Sequence, residues 1–148
     1  MISFTTKTFS ELSTAELYEL LQLRAEVFVL EQNCVYQDID NKDEKALHVL
    51  GIENQKLVAY TRLLPQGYYH QEAGIGRVLT HSSVRKFGYG KLLMQYSIDE
   101  TQKHFQTKTI VISAQLYLEK FYTELGFVAE GDTYIEDHIP HIQMRWNS

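Results

Sequence analysis

The stretch Gly74-Ile75-Gly76-Arg77-Val78-Leu79-Thr80-His81-Ser82-Ser83-Val84-Arg85-Lys86-Phe87-Gly88-Tyr89-Gly90-Lys91-Leu92-Leu93-Met94-Gln95-Tyr96-Ser97-Ile98 decides the fold. Residues 75–80 form a β-rich run, and Leu92, Leu93, Tyr96 and Ile98 predict a helix over 89–104. Gly88 and Gly90 fall where loop turns into helix, so backbone can approach a ligand closely and the first-turn N–H groups stay free. No acidic residue lies between Glu72 and Asp99, yet Arg77, Arg85, Lys86 and Lys91 do, in a chain of net charge −5. A cationic island at a helix N-terminus is the physical recipe for holding phosphate.

Outward from that stretch, the chain predicts one domain. Its 148 residues suffice for a single core, and 44% hydrophobic with 22% charged residues is an ordinary globular composition. Cys34 is the only cysteine, which excludes an internal disulfide and fits a reducing compartment; it reads as a passive, partly buried thiol. No apolar run approaches the ~20 residues that span a bilayer, and the N-terminus lacks a signal-peptide layout, so the expectation is a cytoplasmic protein with no membrane partner. Net negative charge argues against nucleic acid, whose binding needs widespread phosphate neutralisation. Nothing in the sequence separates a monomer from a homodimer.

Before the central stretch, residues 2–7 read as a strand. Ser13-Thr14-Ala15-Glu16 is a capping box opening a helix that reaches about Leu30. Leu17, Leu20, Leu21, Val27 and Phe28 fit its apolar stripe, with Arg24 and Glu31 on the same stripe. Such charges either snorkel at the helix edge, form a structural ion pair or line a cleft. Residues 33–45 predict a solvated loop with Asp38, Asp40 and Asp43, which also reads as an acidic lip for a cationic substrate. A calcium reading fails there, because Lys42 stands where an oxygen ligand is needed and Asp43 where glycine is, so no metal is expected. Leu47–Glu53 and 57–64 read as a hairpin around Asn54-Gln55-Lys56. His48 alternates with Leu50 and Ile52 on one face, where it is either a core histidine or a base.

After the central stretch come a short buried strand at 109–113 and a helix over 115–125, with Leu118, Phe121, Tyr122 and Leu125 on one face and Gly126 ending it. A terminal strand alternates Ile142, Met144 and Trp146 with His141, Gln143 and Arg145. Strands that first meander and later alternate with helices predict an α/β fold: one mixed, mostly antiparallel twisted sheet with helices on both faces.

Two phosphate-binding patterns fail by inspection. A dinucleotide fingerprint needs a third glycine where Leu93 stands, and a nucleotide P-loop needs Ser or Thr after Gly90-Lys91, where Leu92 stands. What remains is Arg85-x-x-Gly88-x-Gly90 between a strand and an amphipathic helix. This resembles the pyrophosphate loop of the GNAT superfamily of acyltransferases, and Phe121-Tyr122-Thr123-Glu124-Leu125-Gly126-Phe127 resembles that superfamily's second motif. Arg24-x-x-Val27-Phe28-Val29-x-Glu31-Gln32, Asp40-x-x-Asp43, His48, Gly76-Arg77-Val78 and Ile139-Pro140-His141 are similar to its ElaA-like branch over essentially the whole chain. His138 departs from the glycine expected before the last strand, and Lys86-Phe87 from a glycine-containing turn.

The resemblance implies a single GNAT-type domain over residues 1–148. It implies that Val78, Leu79 and Thr80 lend backbone to the pantetheine arm of acetyl-CoA or another acyl-CoA, and that Arg85, Lys86, Phe87, Gly88, Tyr89, Gly90 and Lys91 cradle the pyrophosphate. Transfer to a small-molecule or peptide amine would then use Tyr122 as proton donor to the thiolate, although its place on an apolar stripe equally suits a core tyrosine. Glu31 and His48 are the candidate bases, and Arg24, Asp38, Asp40 and Asp43 the candidate acceptor-binding residues. Two other readings stand beside this one. The first is an acyl-CoA-binding sensor without turnover. The second is an enzyme like the acyl-homoserine-lactone synthases, whose pattern of Arg, Phe and spaced Asp can be aligned to Arg24, Phe28, Asp40 and Asp43.

Overall fold

In a computed structural model that describes residues 1–148, seven strands form one sheet in the order β1-β2-β3-β4-β5-β7-β6. The strands are β1 (Ser3–Thr8), β2 (Leu47–Glu53), β3 (Lys56–Leu64), β4 (Ala73–Thr80), β5 (Thr109–Gln115), β6 (Val128–Glu136) and β7 (Ile139–Asn147). All neighbours are antiparallel except β4 and β5. Helix α1 (Thr14–Arg24) covers one face, and α2 (Tyr89–Phe105) with α3 (Glu119–Glu124) covers the other. The expected mixed sheet between helical layers is therefore the observed fold.

Sequence chemistry explains these elements locally. Asn54 and Gln55 both adopt positive φ, giving the two-residue turn whose twist matches a hairpin. Ser13 and Glu16 form the reciprocal capping box expected at the start of α1. The apolar side of α1 packs Leu20 and Leu23 against Leu50, Tyr60 and Leu79, whereas Leu93, Met94 and Ile98 of α2 join Ile110, Ile112 and Met144 on the opposite face. Each such buried side chain contributes roughly 1.5–3 kcal/mol.

Two elements differ from expectation. The first helix does not run as α-helix to Leu30: after Arg24 it widens into a π-helical turn, Ala25–Glu31. Such turns re-aim side chains at functional sites, and here Val27, Phe28 and Glu31 reach the central cleft while Arg24 is drawn into the interior. The predicted helix over 115–125 is shorter, because β5 extends to Gln115 and a 3₁₀ turn, Leu116–Leu118, precedes α3. The turn before β7 also adapts: Asp137 and His138 both take positive φ, so His138 occupies the conformation for which glycine is favoured.

The placement of β4 shapes everything functional. It pairs with β5 in parallel through only Ala73 with Ile110 and Gly74 with Val111, after which the strands diverge. A Cβ on Gly74 would stand 3.0 Å from the Val111 carbonyl oxygen, so glycine permits the closest approach at the apex of the split. Against β3, Tyr60 pairs with Leu79 but Arg62 with Gly76, which leaves one extra β4 residue as a bulge. Arg77 lies in it at φ +50.

Candidate active site

The divergence of β4 from β5 opens a cleft of about 1040 Å³. Val78, Leu79 and Thr80 border it on the β4 side. At one end, the 3₁₀ turn Ser82–Phe87 stops at Gly88, whose φ of +74 and ψ of +16 cap α2 without any side-chain hydrogen bond. The first amides of α2 therefore keep their donors, beside Arg85 and Lys91, which also border the cleft. Nothing lies within 4 Å of a Cβ added to Gly88, so the space above the turn is open. Lys86, Phe87 and Tyr89 stand in the same turn but outside the cleft lining, and the Tyr89 hydroxyl is tied to Glu53.

The two glycine- and tyrosine-bearing motifs meet here. A Cβ on Gly90 would touch the Phe121 ring at 3.6 Å, and the next residue, Tyr122, borders the cleft from α3. The Tyr122 ring packs edge-on against Phe121 and Phe127 and is 5% exposed. Burial raises its phenol pKa, so the proton is retained across the physiological range; no protein group shares it. Tyr122 thus belongs to the hydrophobic core and also borders the cleft.

Glu31 also reaches the cleft, but its Oε1 lies 2.7 Å from Arg85 Nη1. As placed, this carboxylate orders Arg85, whose Nε donates to the Thr80 carbonyl.

His48, the other candidate base, is fully buried and absent from the cleft lining. Its Nε2 donates to the Asp43 carbonyl at 2.9 Å, leaving Nδ1 to accept from the Tyr60 hydroxyl at 2.6 Å. Burial lowers its pKa. Both nitrogens are occupied, so the sequence reading of His48 as a base is corrected to that of a structural histidine.

The acidic lip is corrected in the same way. Asp38 and Asp43 are buried, not solvated. Arg24, 0% exposed, reaches Asp38 Oδ2 at 2.8 Å and Asp43 Oδ1 at 2.7 Å. Arg62 holds Asp40 at 2.7 Å and Asp43 at 3.1 Å, and Arg77 of the bulge holds Asp38 at 2.7 Å. Burial alone would raise the Asp40 and Asp43 pKa values, but the guanidinium hydrogen bonds and charges outweigh it and lower both. Three arginines balance three aspartates, so the loop offers a cation no net charge. Arg24, Asp38, Asp40 and Asp43 are thus a structural cluster that fixes the 33–45 loop and the β4 bulge, with only Asp40 bordering the cleft. Sequence reasoning missed this because Arg62 and Arg77 lie in strands far along the chain.

Across the split from the α2 N-terminus lies a polar patch absent from the candidate residues. Tyr69 donates to Glu136 Oε1 at 2.7 Å, Ser113 bonds Tyr134, and His141 stacks on Tyr134. Register explains the grouping: Gln115 and Tyr134 both pair with His141, so these side chains share a sheet face with Ser113 and Glu136. The α1 layer packs on Leu50, Leu57, Tyr60 and Leu79 of β2–β4, leaving this half of the face to polar groups. The alternation of His141, Gln143 and Arg145 was its one sequence signal. No group of three or more His, Cys, Asp or Glu is placed to hold a metal, and no helix is long and apolar enough to cross a membrane.

Comparison with known proteins agrees with this architecture. The sequence profile of an acetyltransferase (GNAT) domain matches residues 9–148. The protein ElaA of Escherichia coli is 42% identical over 146 residues, 97% of this chain and 95% of that one. Its crystal structure superposes with a TM-score of 0.92 at 40% identity, covering 99% of this chain and 100% of that one. An acyl-CoA N-acyltransferase from Pseudomonas aeruginosa superposes at 0.90 with 39% identity, covering 97% and 99%. The acyl-homoserine-lactone synthase LasI shares the fold at a TM-score of 0.80 and 15% identity, covering 99% and 90%.

Proposed function

The chain belongs to the GNAT acetyltransferase family, and from that premise we propose that it is an acyl-CoA-dependent N-acyltransferase of the cytoplasm, moving an acetyl group from acetyl-CoA to a primary amine in a ternary complex. The observation that carries this reading is the split between β4 and β5, with free helix-terminal amides at one end and Tyr122 at its edge. The residues fit the ligand. Open space above Gly88, the α2 amides and the Arg85 and Lys91 charges suit a pyrophosphate. The exposed β4 edge beyond the split suits an amide-bearing pantetheine arm. The role of the protein in acyl transfer is to align amine and thioester, and Tyr122 provides the proton that the departing sulfur needs.

The sensor reading predicts the same binding without turnover. The lactone-synthase reading predicts lactone formation when S-adenosylmethionine is supplied, which separates it from amine acylation. Acetyl-CoA stabilisation followed by amine-dependent thiol release is the test. Tyr122→Phe should fold and keep acetyl-CoA binding, while kcat drops by about 10²-fold. Unchanged transfer by that variant across pH refutes the acid role.

A further inference from the structure

Two carboxylates bordering the cleft have no cationic side chain of lysine or arginine beside them, and one of the two faces a histidine. Four border the cleft: Glu31, paired with Arg85; Asp40, paired with Arg62 and Arg77; and Glu136 and Asp137, which have no lysine or arginine partner. Glu136 instead accepts from the Tyr69 hydroxyl and faces His141 Nε2 at 3.7 Å, too far for a hydrogen bond. His141 is 6% exposed, and its Nδ1 lies 2.7 Å from the Ile139 carbonyl oxygen. A carbonyl only accepts, so Nδ1 carries the hydrogen and the neutral ring presents a lone pair at Nε2. The Ser113 hydroxyl also reaches both Glu136 oxygens, at 3.4 Å, but no protein donor meets His141 Nε2, so a carboxylate and an imidazole lone pair face each other at the cleft wall. A group bearing several N–H donors and positive charge complements both, and an ammonium is that group.

We propose that Glu136 and His141 form the acceptor subsite, in which Glu136 receives the ammonium of a cationic primary amine and His141 Nε2 takes its proton before attack. The inference rests on the acyl-CoA reading above. It replaces the acidic lip of the 33–45 loop, whose charges are internally balanced. Proton flow closes as follows. The ammonium gives one proton to Nε2, and the imidazolium formed is stabilised by Glu136. The neutral nitrogen forms the C–N bond as the thioester C–S bond breaks. Tyr122 protonates the sulfur, and the second proton lost by the acylated nitrogen restores the phenol. His141 then releases its proton to solvent, so one ammonium and one thioester become one amide, one thiol and one proton. Glu136 and the adjacent Asp137 repel a carboxylate beside the reacting amine. The favoured class is therefore a diamine or lysine-like side chain rather than an α-amino acid.

The test measures thiol release at saturating acetyl-CoA with 1,4-diaminobutane, Nα-acetyl-lysine amide and glycine, in wild type, H141Q and E136Q. Glu136 and Tyr134 face His141, and Asp137, Tyr69 and His70 line the same cleft; none of them is altered in H141Q. The expected result is about a 10²-fold fall in kcat for H141Q, recovering as pH rises and the free amine becomes abundant. E136Q should raise KM for diaminobutane at least about tenfold, with less effect on glycine, and both variants should keep acetyl-CoA stabilisation. Values within twofold of wild type in both variants overturn the assignment. So does acetyl-CoA stabilisation of the wild type with no thiol release from any amine. Absence of acetyl-CoA stabilisation overturns instead the reading beneath it. If H141Q does not fold, imidazole ¹⁵N spectra of the wild type decide: diaminobutane must shift Nε2 of His141, and an unmoved signal overturns the proposal.

Discussion

Replacing Arg24 by Met separates a structural role from a substrate-binding one. Arg24 makes three contacts to the 33–45 loop, at 2.8 Å and 3.2 Å to Asp38 and 2.7 Å to Asp43, from a fully buried position. Methionine fills much of the volume but leaves two arginines against three aspartates. Neither carboxylate is wholly orphaned, since Asp38 keeps Arg77 and the Tyr36 hydroxyl, and Asp43 keeps Arg62. The cost should therefore fall at the low end of the range for breaking a buried pair, about 3 kcal/mol. For a chain of this length that is a Tm drop of about 6–12 °C. A second signature is the pH dependence. Asp40 and Asp43 have folded pKa values below their unfolded ones, so their contribution is complete above about pH 4 and lost as pH falls towards the folded values. In R24M the uncompensated carboxylate titrates at higher pH, so the gap between variant and wild type should narrow between about pH 5 and 3. Thermal melts at pH 7 and 4, with the amine KM, provide the assay. A melting point within about 2 °C of wild type together with a raised amine KM refutes the argument and returns Arg24 to the acceptor site.

Two further substitutions test neighbouring conclusions. Gly88→Ala puts a Cβ at φ +74 with nothing within 4 Å, so only backbone strain of about 1 kcal/mol is expected; the shift with acetyl-CoA should shrink, and an undiminished shift argues against the pyrophosphate cradle. His48→Gln removes bonds to Tyr60 and Asp43 and should cost about 2 kcal/mol without altering the pH profile of transfer. Because burial holds the folded His48 pKa below about 6.5, its neutral form stabilises the protein above that pH and this is lost on acidification. H48Q should accordingly flatten the stability loss between about pH 7 and 5, and a displaced activity profile would restore His48 as a base.

Local patterns carried the sequence a long way. The capping box at Ser13, the hairpin at Asn54-Gln55, the strand–loop–helix around Gly88 and the apolar stripe through Tyr122 depend on residues within a turn or two of one another. Side-chain periodicity and glycine placement report such contacts directly. They were enough to predict a sheet between helical layers and a phosphate-binding end.

What the sequence could not express is partnership over distance. Whether Asp38, Asp40 and Asp43 attract a substrate or neutralise arginines depends on Arg62 and Arg77, which only sheet registration and the β4 bulge bring within reach. Whether His48 or His141 keeps a free lone pair depends on whether the nitrogen left after the carbonyl contact meets a donor, as His48 Nδ1 meets the Tyr60 hydroxyl and His141 Nε2 meets none. Glu136 became distinctive only in space, because it lacks a lysine or arginine partner and stands 3.7 Å from His141 Nε2. One-dimensional spacing fixes which residues share a helix or strand face. Pairing of charges, choice of tautomer and the opening between β4 and β5 are properties of the packed molecule alone.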